Sequence, residues 1–321
     1  MAVIRNAKAT GRGRIARTPA ILGLVVLAAV TVVLVAVALV PVGTPSTAGE
    51  APGSPLVDGE ATPTASPTAS ESPTASVSPA ESGTVVVPGR VLAALDADTA
   101  WRSSTGACPN VPAEPERTTD GGASFRAFEA GASAILAIYP ATEDEVTLIA
   151  QTAECAPTAL GTFVAGEQWA VYDERLANNW YLLPADPASI HSQAGLVTAP
   201  CARAVQLASK NETEAAVLCD DATFFVTVDA GATWSDPVIV AGAAAVSATT
   251  AGYAVAVADA SVCQGVHLVA LAGSDRSSPT PCLVAATQPG EIALAAASDG
   301  TLWIWAGATL ARSNDGGATW R

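Results

Sequence analysis

The sequence predicts an all-β domain of repeated hairpins, carried outside a membrane by one N-terminal helix. Three observations predict it. A charge-free apolar run covers residues 20–41. A segment rich in Pro, Thr and Ser follows it. Beyond residue 84, short apolar strands alternate with acidic or Gly turns, and one eight-residue pattern occurs three times.

Residues 20–41 hold no charge and one Thr. As a helix such a run is about 30 Å long, the thickness of a hydrocarbon core. Pro19 and Pro41 stand at its ends, where a missing N–H or a helix stop costs little. Arg5, Lys8, Arg12, Arg14 and Arg17 precede the run, and no acid occurs before Glu50. This asymmetry places residues 1–19 in the cytoplasm and the rest outside a plasma membrane crossed once. The competing reading is a cleaved signal peptide, for which Ala36–Ala38 offers an A-x-A site. The length of the run favours an uncleaved anchor.

Residues 42–83, centred on ATPTASPTASESPTASVSPAES, lack the apolar side chains of a core. They read as a disordered, partly polyproline linker, with O-glycosylation as the sharper alternative to a plain tether. Removing the five basic residues of the tail leaves 10 basic and 30 acidic residues, a balance of −20. Such a charge excludes nucleic acid as a partner. Only two Lys stand against 13 Arg, the usage of a GC-rich bacterial genome.

The three repeated segments are TTDGGASF (118–125), TVDAGATW (227–234) and SNDGGATW (313–320). Asp120, Asp229 and Asp315 are placed to accept N–H groups of their own turn. Gly122, Gly231 and Gly317 allow positive φ, and Phe125, Trp234 and Trp320 supply apolar area. The pattern resembles the Asp-box, or BNR repeat, of sialidase-like β-propellers. The resemblance implies a hairpin between the third and fourth strands of a blade, away from the ligand-binding end. These nine residues are therefore expected to be structural.

The strand-turn-strand grammar recurs around Trp101, Trp169, Phe225, Leu268 and Trp303 at a mean spacing of about 50 residues. With the resemblance, this implies a β-propeller of about five four-stranded blades over residues 84–321, with six as the alternative. The last box is followed only by Arg321, so the final blade is short of an outer strand. GTVVVPG (83–89) is expected to supply it.

Cys108, Cys155, Cys201, Cys219, Cys263 and Cys282 all lie in the domain assigned to the outside. An even number in an oxidising compartment implies three disulfides, with sequential pairing preferred among fifteen connectivities. Zinc is disfavoured: no C-x-x-C occurs, and the only histidines are His191 and His267.

No catalytic residue, metal or cofactor can be named. Sialidases use an arginine cluster with an Asp acid/base and a Tyr/Glu pair. Here Tyr139, Tyr172, Tyr181 and Tyr253 have no such context, and no Arg-Ile-Pro occurs. Other glycosidases need two facing carboxylates. The run Glu143, Asp144, Glu145 reads as a solvated loop, and Asp96–Asp98 lacks the remainder of a calcium loop. G-x-S-x-G, phosphate-loop and Rossmann patterns are absent, and Asn211 opens a glycosylation sequon that matters only in a secreting eukaryote. Trp303 and Trp305 share one strand face and read as core, or as a sugar-stacking surface. Asn178 to Tyr181 lie in the most divergent copy, where departure from the repeat marks an insertion or drift. Two functions stand: a binding module for a protein or cell-wall glycan, and a glycoside hydrolase on the same scaffold. A pocket with two carboxylates near the propeller axis would favour the second.

Overall fold

A computed structural model describes residues 84–273 and 275–321. The expected tail, membrane span and linker all lie outside the described residues. Among the described residues no helix is long and apolar enough to cross a membrane.

The domain is a six-bladed β-propeller, the six-bladed alternative of the sequence reading. Blade 1 holds β1 (Arg90–Ala94), β2 (Ala100–Ser104), β3 (Glu116–Thr118) and β4 (Arg126–Ala127). Blade 2 holds β5 (Ala134–Pro140), β6 (Val146–Gln151), β7 (Pro157–Thr162) and β8 (Ala170–Val171). Blade 3 has β9 (Tyr181–Leu182), β10 (Ser189–Ser192) and β11 (Gly195–Thr198). Blade 4 holds β12 (Ala204–Ser209), β13 (Ala215–Cys219), β14 (Thr223–Thr227) and β15 (Val238–Ile239). In blade 5, β16 (Ala243–Thr249), β17 (Gly252–Val257) and β18 (Gly265–Ala272) are followed by β19 (Asp275–Arg276) and β20 (Leu283–Val284), which both pair with β18. Blade 6 has β21 (Ile292–Ala296), β22 (Leu302–Ala306) and β23 (Thr309–Ser313). Arg321 exchanges backbone hydrogen bonds with Arg312, beside β23.

The composition explains the packing. A blade is covered by a neighbour on each side, so its middle strands bury both faces and show apolar runs instead of alternation. The second strands VTLIAQ, AAVLC and GYAVAV are buried at every residue. Alanine at many of these positions lets adjacent sheets approach closely near the axis. Buried side chains form six clusters, one per seam between neighbouring blades.

Among the described residues the ring closes without exchange of a strand, contrary to the expectation that the segment ending at Gly89 supplies one. β21 packs directly on β1. The Val85 N–H instead donates to the Asp220 carbonyl at 2.7 Å, and Gly89 N–H to the Gly290 carbonyl at 2.9 Å. The segment thus runs across one end of the ring with Val85 buried between blades 4 and 5. The physical reason is that Val85 gains a fully apolar site there, whereas an outer strand of blade 6 would leave it half exposed.

Blade 3 departs from the others. A 3-10 turn, Asp173–Asn178, carries the chain back along blade 2 before β9 begins. Tyr139, near the end of β5, donates its hydroxyl to the Trp180 carbonyl, and Trp180 Nε1 donates to Asn211 O at 3.0 Å in the turn after β12. The other end of β9 leads to Pro187, whose carbonyl accepts the Ala204 N–H at the start of β12. β9 therefore starts where β5 and β12 end, and blade 3 is a three-stranded sheet run in the opposite sense.

Candidate functional site

The two ends of the ring differ. One end carries the β1–β2 turn and its counterparts together with the three boxes, and is here the box face. The other carries the loops and the strand end that all three disulfides join, and is the disulfide face. The bonds are Cys108–Cys155, Cys201–Cys219 and Cys263–Cys282, with Cα separations of 5.6, 6.3 and 5.6 Å. The pairing is sequential.

The boxes share one hydrogen-bond set. In the second, Thr227 Oγ1 donates to Asp229 Oδ1 at 2.8 Å and accepts the Gly231 N–H at 2.9 Å. Thr233 donates its N–H to Oδ1 at 2.9 Å and its hydroxyl to Oδ2 at 2.6 Å. Asp120 and Asp315 repeat this with Thr118 and Ser124, and with Ser313 and Thr319. All three hydrogen bonds that each carboxylate accepts come from its own hairpin. Gly122, Gly231 and Gly317, with φ of 87°, 89° and 90°, dock on the preceding blade at Leu310, Val197 and Leu268, where a Cβ would collide. Phe125, Trp234 and Trp320 are half-buried over their seams.

A fourth hairpin of this shape occurs in blade 2. Thr162 Oγ1 accepts the Gly166 N–H at 3.0 Å, and Ala165 and Gly166 take positive φ. Val164 stands at the acidic position. The missing carboxylate hid this copy from the pattern, although T-x-x-x-G-x-x-W remains.

Burial of the first hydroxyl sets an expected outcome. Thr227 is 1% exposed. Thr227→Val keeps its shape but strands the Gly231 N–H, and should cost about 1–3 kcal/mol, read from the urea midpoint. The carboxylates set another. Hydrogen bonds, first from the Ser124 hydroxyl, lower Asp120 from 3.8 to about 2, and those from Thr319 do the same for Asp315. A carboxyl depressed on folding stabilises the fold above its unfolded pKa, and that stabilisation is lost as pH falls through the folded pKa. Stability should therefore be flat above about pH 4 and fall toward pH 2. Asp315→Asn should flatten that acid limb in a pH series of thermal melts.

A cavity of about 590 Å³ lies on the axis. Its walls are the inner strands, among them Leu92, Leu136, Leu182, Leu207 and Leu294, with Val87 and Pro88 of the crossing segment at one side. Among the described residues no Asp, Glu or His lines it. Its polar groups are mostly engaged. Gln206 donates to Ala244 O and accepts the Val246 N–H at 3.0 Å. Gln151 Nε2 donates to Cys155 O at 2.6 Å. Arg90 donates to Gly307 O at 2.6 Å and to Glu291 O at 3.1 Å, with its guanidinium 4.2 Å from the Trp305 ring. Burial pushes Tyr139 up to about 12, so its hydroxyl stays neutral. Arg203 is exposed on the rim, and no ion pair among the described residues includes it.

The other singled-out residues lie apart. Trp303 is fully buried between blades 6 and 1 and donates Nε1 to Asp96 O at 2.9 Å. Trp305 is covered by Arg90 and Arg102. Neither offers a sugar-stacking surface. Tyr181 stacks on His191 at 4.5 Å, and Glu145 pairs with Arg175 at 2.8 Å. Among the described residues no group of three His, Cys, Asp or Glu is arranged to hold a metal ion.

No protein family and no curated protein matches the chain in sequence. Similar solved structures include YCF48 bound to a D1 peptide, 14% identical over 76% of this chain and 67% of that one, with a TM-score of 0.28. They include a fungal lectin of Aleuria aurantia with a six-bladed propeller, 9% identical over 75% and 96%, with a TM-score of 0.47. A GH74 xyloglucanase from Xanthomonas campestris is 17% identical over 72% of this chain and 37% of that one, with a TM-score of 0.28.

Proposed function

We propose that the domain is a non-catalytic binding module whose axial cavity takes an apolar peptide segment carrying an acidic group. The observation that carries this is the lining: aliphatic walls, no carboxylate, and one exposed cation without an ion-pair partner, Arg203, at the rim. Hydrolysis of a glycosidic bond requires two carboxyl groups about 5–10 Å apart, and these walls supply none. A glycan would also leave most of its hydroxyls without partners against such walls. The volume is that of an ordinary ligand pocket. The resemblance to Asp-box repeats remains part of this reading, with the boxes as structural hairpins. So does the location: a propeller held outside the plasma membrane by residues 20–41 on a Pro/Thr/Ser linker. Three disulfides support an oxidising compartment.

The test uses the full chain in its own membranes, with a photocrosslinking side chain at Ala185, an exposed residue on the cavity rim. A discrete protein adduct is expected, and Arg203→Glu should reduce it at least about tenfold, since reversing a paired charge costs more than 1.4 kcal/mol. Release of reducing sugar from cell-wall polysaccharide, with no protein adduct, would establish the hydrolase instead.

A further inference from the structure

Blades 1 and 6 carry the same cross-strand row. In blade 1 it is Ala93, Trp101, Arg117 and Arg126; in blade 6 it is Ala295, Trp303, Arg312 and Arg321. The row faces the next blade around the ring. In blade 6 its donors meet oxygens there. Trp303 Nε1 reaches Asp96 O, and Arg312 reaches Ala97 O and, at 3.3 Å, Asp98 Oδ1.

In blade 1 the corresponding indole and Nε donors meet no oxygen. Arg126 pairs with Glu167 of blade 2, but Trp101 Nε1 and Arg117 Nε are buried without a hydrogen-bond partner. Trp101 is 0% exposed. Arg117 enters no ion pair among the described residues. A third orphan joins them from blade 2. Trp169 Nε1 is likewise buried and unpartnered, and its ring stands edge-on to Trp101 at 6.1 Å between centroids. The Arg117 guanidinium carbon lies 5.8 Å from the Trp101 centroid.

Indole and guanidinium groups are donors only, so the three cannot satisfy one another. A water molecule offers two acceptor sites and brings two further donors to a place that lacks acceptors. A carboxylate offers acceptors alone, balances the guanidinium charge, and matches its planar fork. We infer that the seam between blades 1 and 2, beside the degenerate hairpin 162–169, binds the carboxylate of a small organic acid through Arg117 and the indole N–H groups of Trp101 and Trp169. A small ligand is required because the donor atoms are buried. The site is separate from the axial cavity, and its lining includes none of these three residues.

The experiment follows the indole N–H resonances of the full chain, which has seven Trp, during titration with sodium acetate and, separately, sodium chloride at equal ionic strength. Trp101→Phe and Trp169→Phe assign the two signals. If Trp101→Phe does not fold, Trp169→Phe assigns one and leaves the other as the second responder. Acetate is expected to shift both signals downfield to saturation, and Arg117→Met should weaken the response at least tenfold while the far-UV circular dichroism is unchanged. No saturable shift, an equal shift with chloride, or a response that survives Arg117→Met overturns the assignment.

Discussion

Replacing Cys108 and Cys155 together by Ser is expected to lower the unfolding free energy of the domain by about 4 kcal/mol, the loop-closure value for a span of this length. The bond closes 47 residues and ties the β2–β3 loop of blade 1 to the β6–β7 turn of blade 2. Removing Cys201–Cys219, which closes 18 residues, should cost about 3 kcal/mol. The three bonds together rival the whole stability of an ordinary domain. Reduction with an excess of thiol should therefore unfold the propeller near neutral pH and room temperature. Denaturant midpoints with and without thiol give the answer, and a midpoint indifferent to reduction would remove the disulfides from the account of stability. Their location fits the fold. All three hold the face whose loops are long, whereas the opposite face is held by the hydrogen-bonded boxes.

Trp303→Ala should be the most damaging single substitution in the ring, at about 3–5 kcal/mol. Among the described residues no strand is exchanged between the first and last blades, so the closure rests on side chains. Trp303 fills the seam with Ala100, Ala295, Leu92 and Leu310. Its indole and Arg312 fix the turn 95–99 of blade 1, Ala97 N–H donates to Asp299 Oδ2 at 3.0 Å, and Arg90 bonds blade 6 from the other end. Truncation leaves a cavity and opens a ring that has no covalent or strand-level clasp. A loss below about 1 kcal/mol would mean that the crossing segment 84–89 carries the closure instead.

The boxes and the paired cysteines were legible because each is local chemistry. An Asp that accepts three bonds from its own turn needs those residue types at those spacings, whatever surrounds it. The repeat length was less legible. Trp101 and Trp303 do mark second strands, but Phe225 and Leu268 sit on third strands and Trp169 on a hairpin after β7. Counting them as one position merged unlike elements and left blade 3 without a marker. Its strands are two to four residues long, and SIHS and GLVT carry too few apolar residues to show a period. The reversal of that blade depends on Trp180 reaching the turn after β12, a contact between residues 31 apart. The axial cavity was invisible for a related reason. Its walls are the inner strands of several blades, and Arg203 stands out only when the other polar side chains around it prove to be engaged. One signal was available and unread. RTTDGGASFR (117–126) and RSNDGGATWR (312–321) carry Arg at both flanks, whereas TVDAGATW is flanked by Val226 and Ser235.

The central claim is that the disulfide face, with the axial cavity, is the binding end and that the boxes only hold the blades. The most direct measurement places the same photocrosslinking side chain at Ala185 on the cavity rim and at Val228, an exposed residue of the second box, in the full chain within its own membranes. The account predicts one discrete protein adduct from Ala185 and none from Val228. The same adduct from Val228 alone, or adducts of equal yield from both positions, would contradict it.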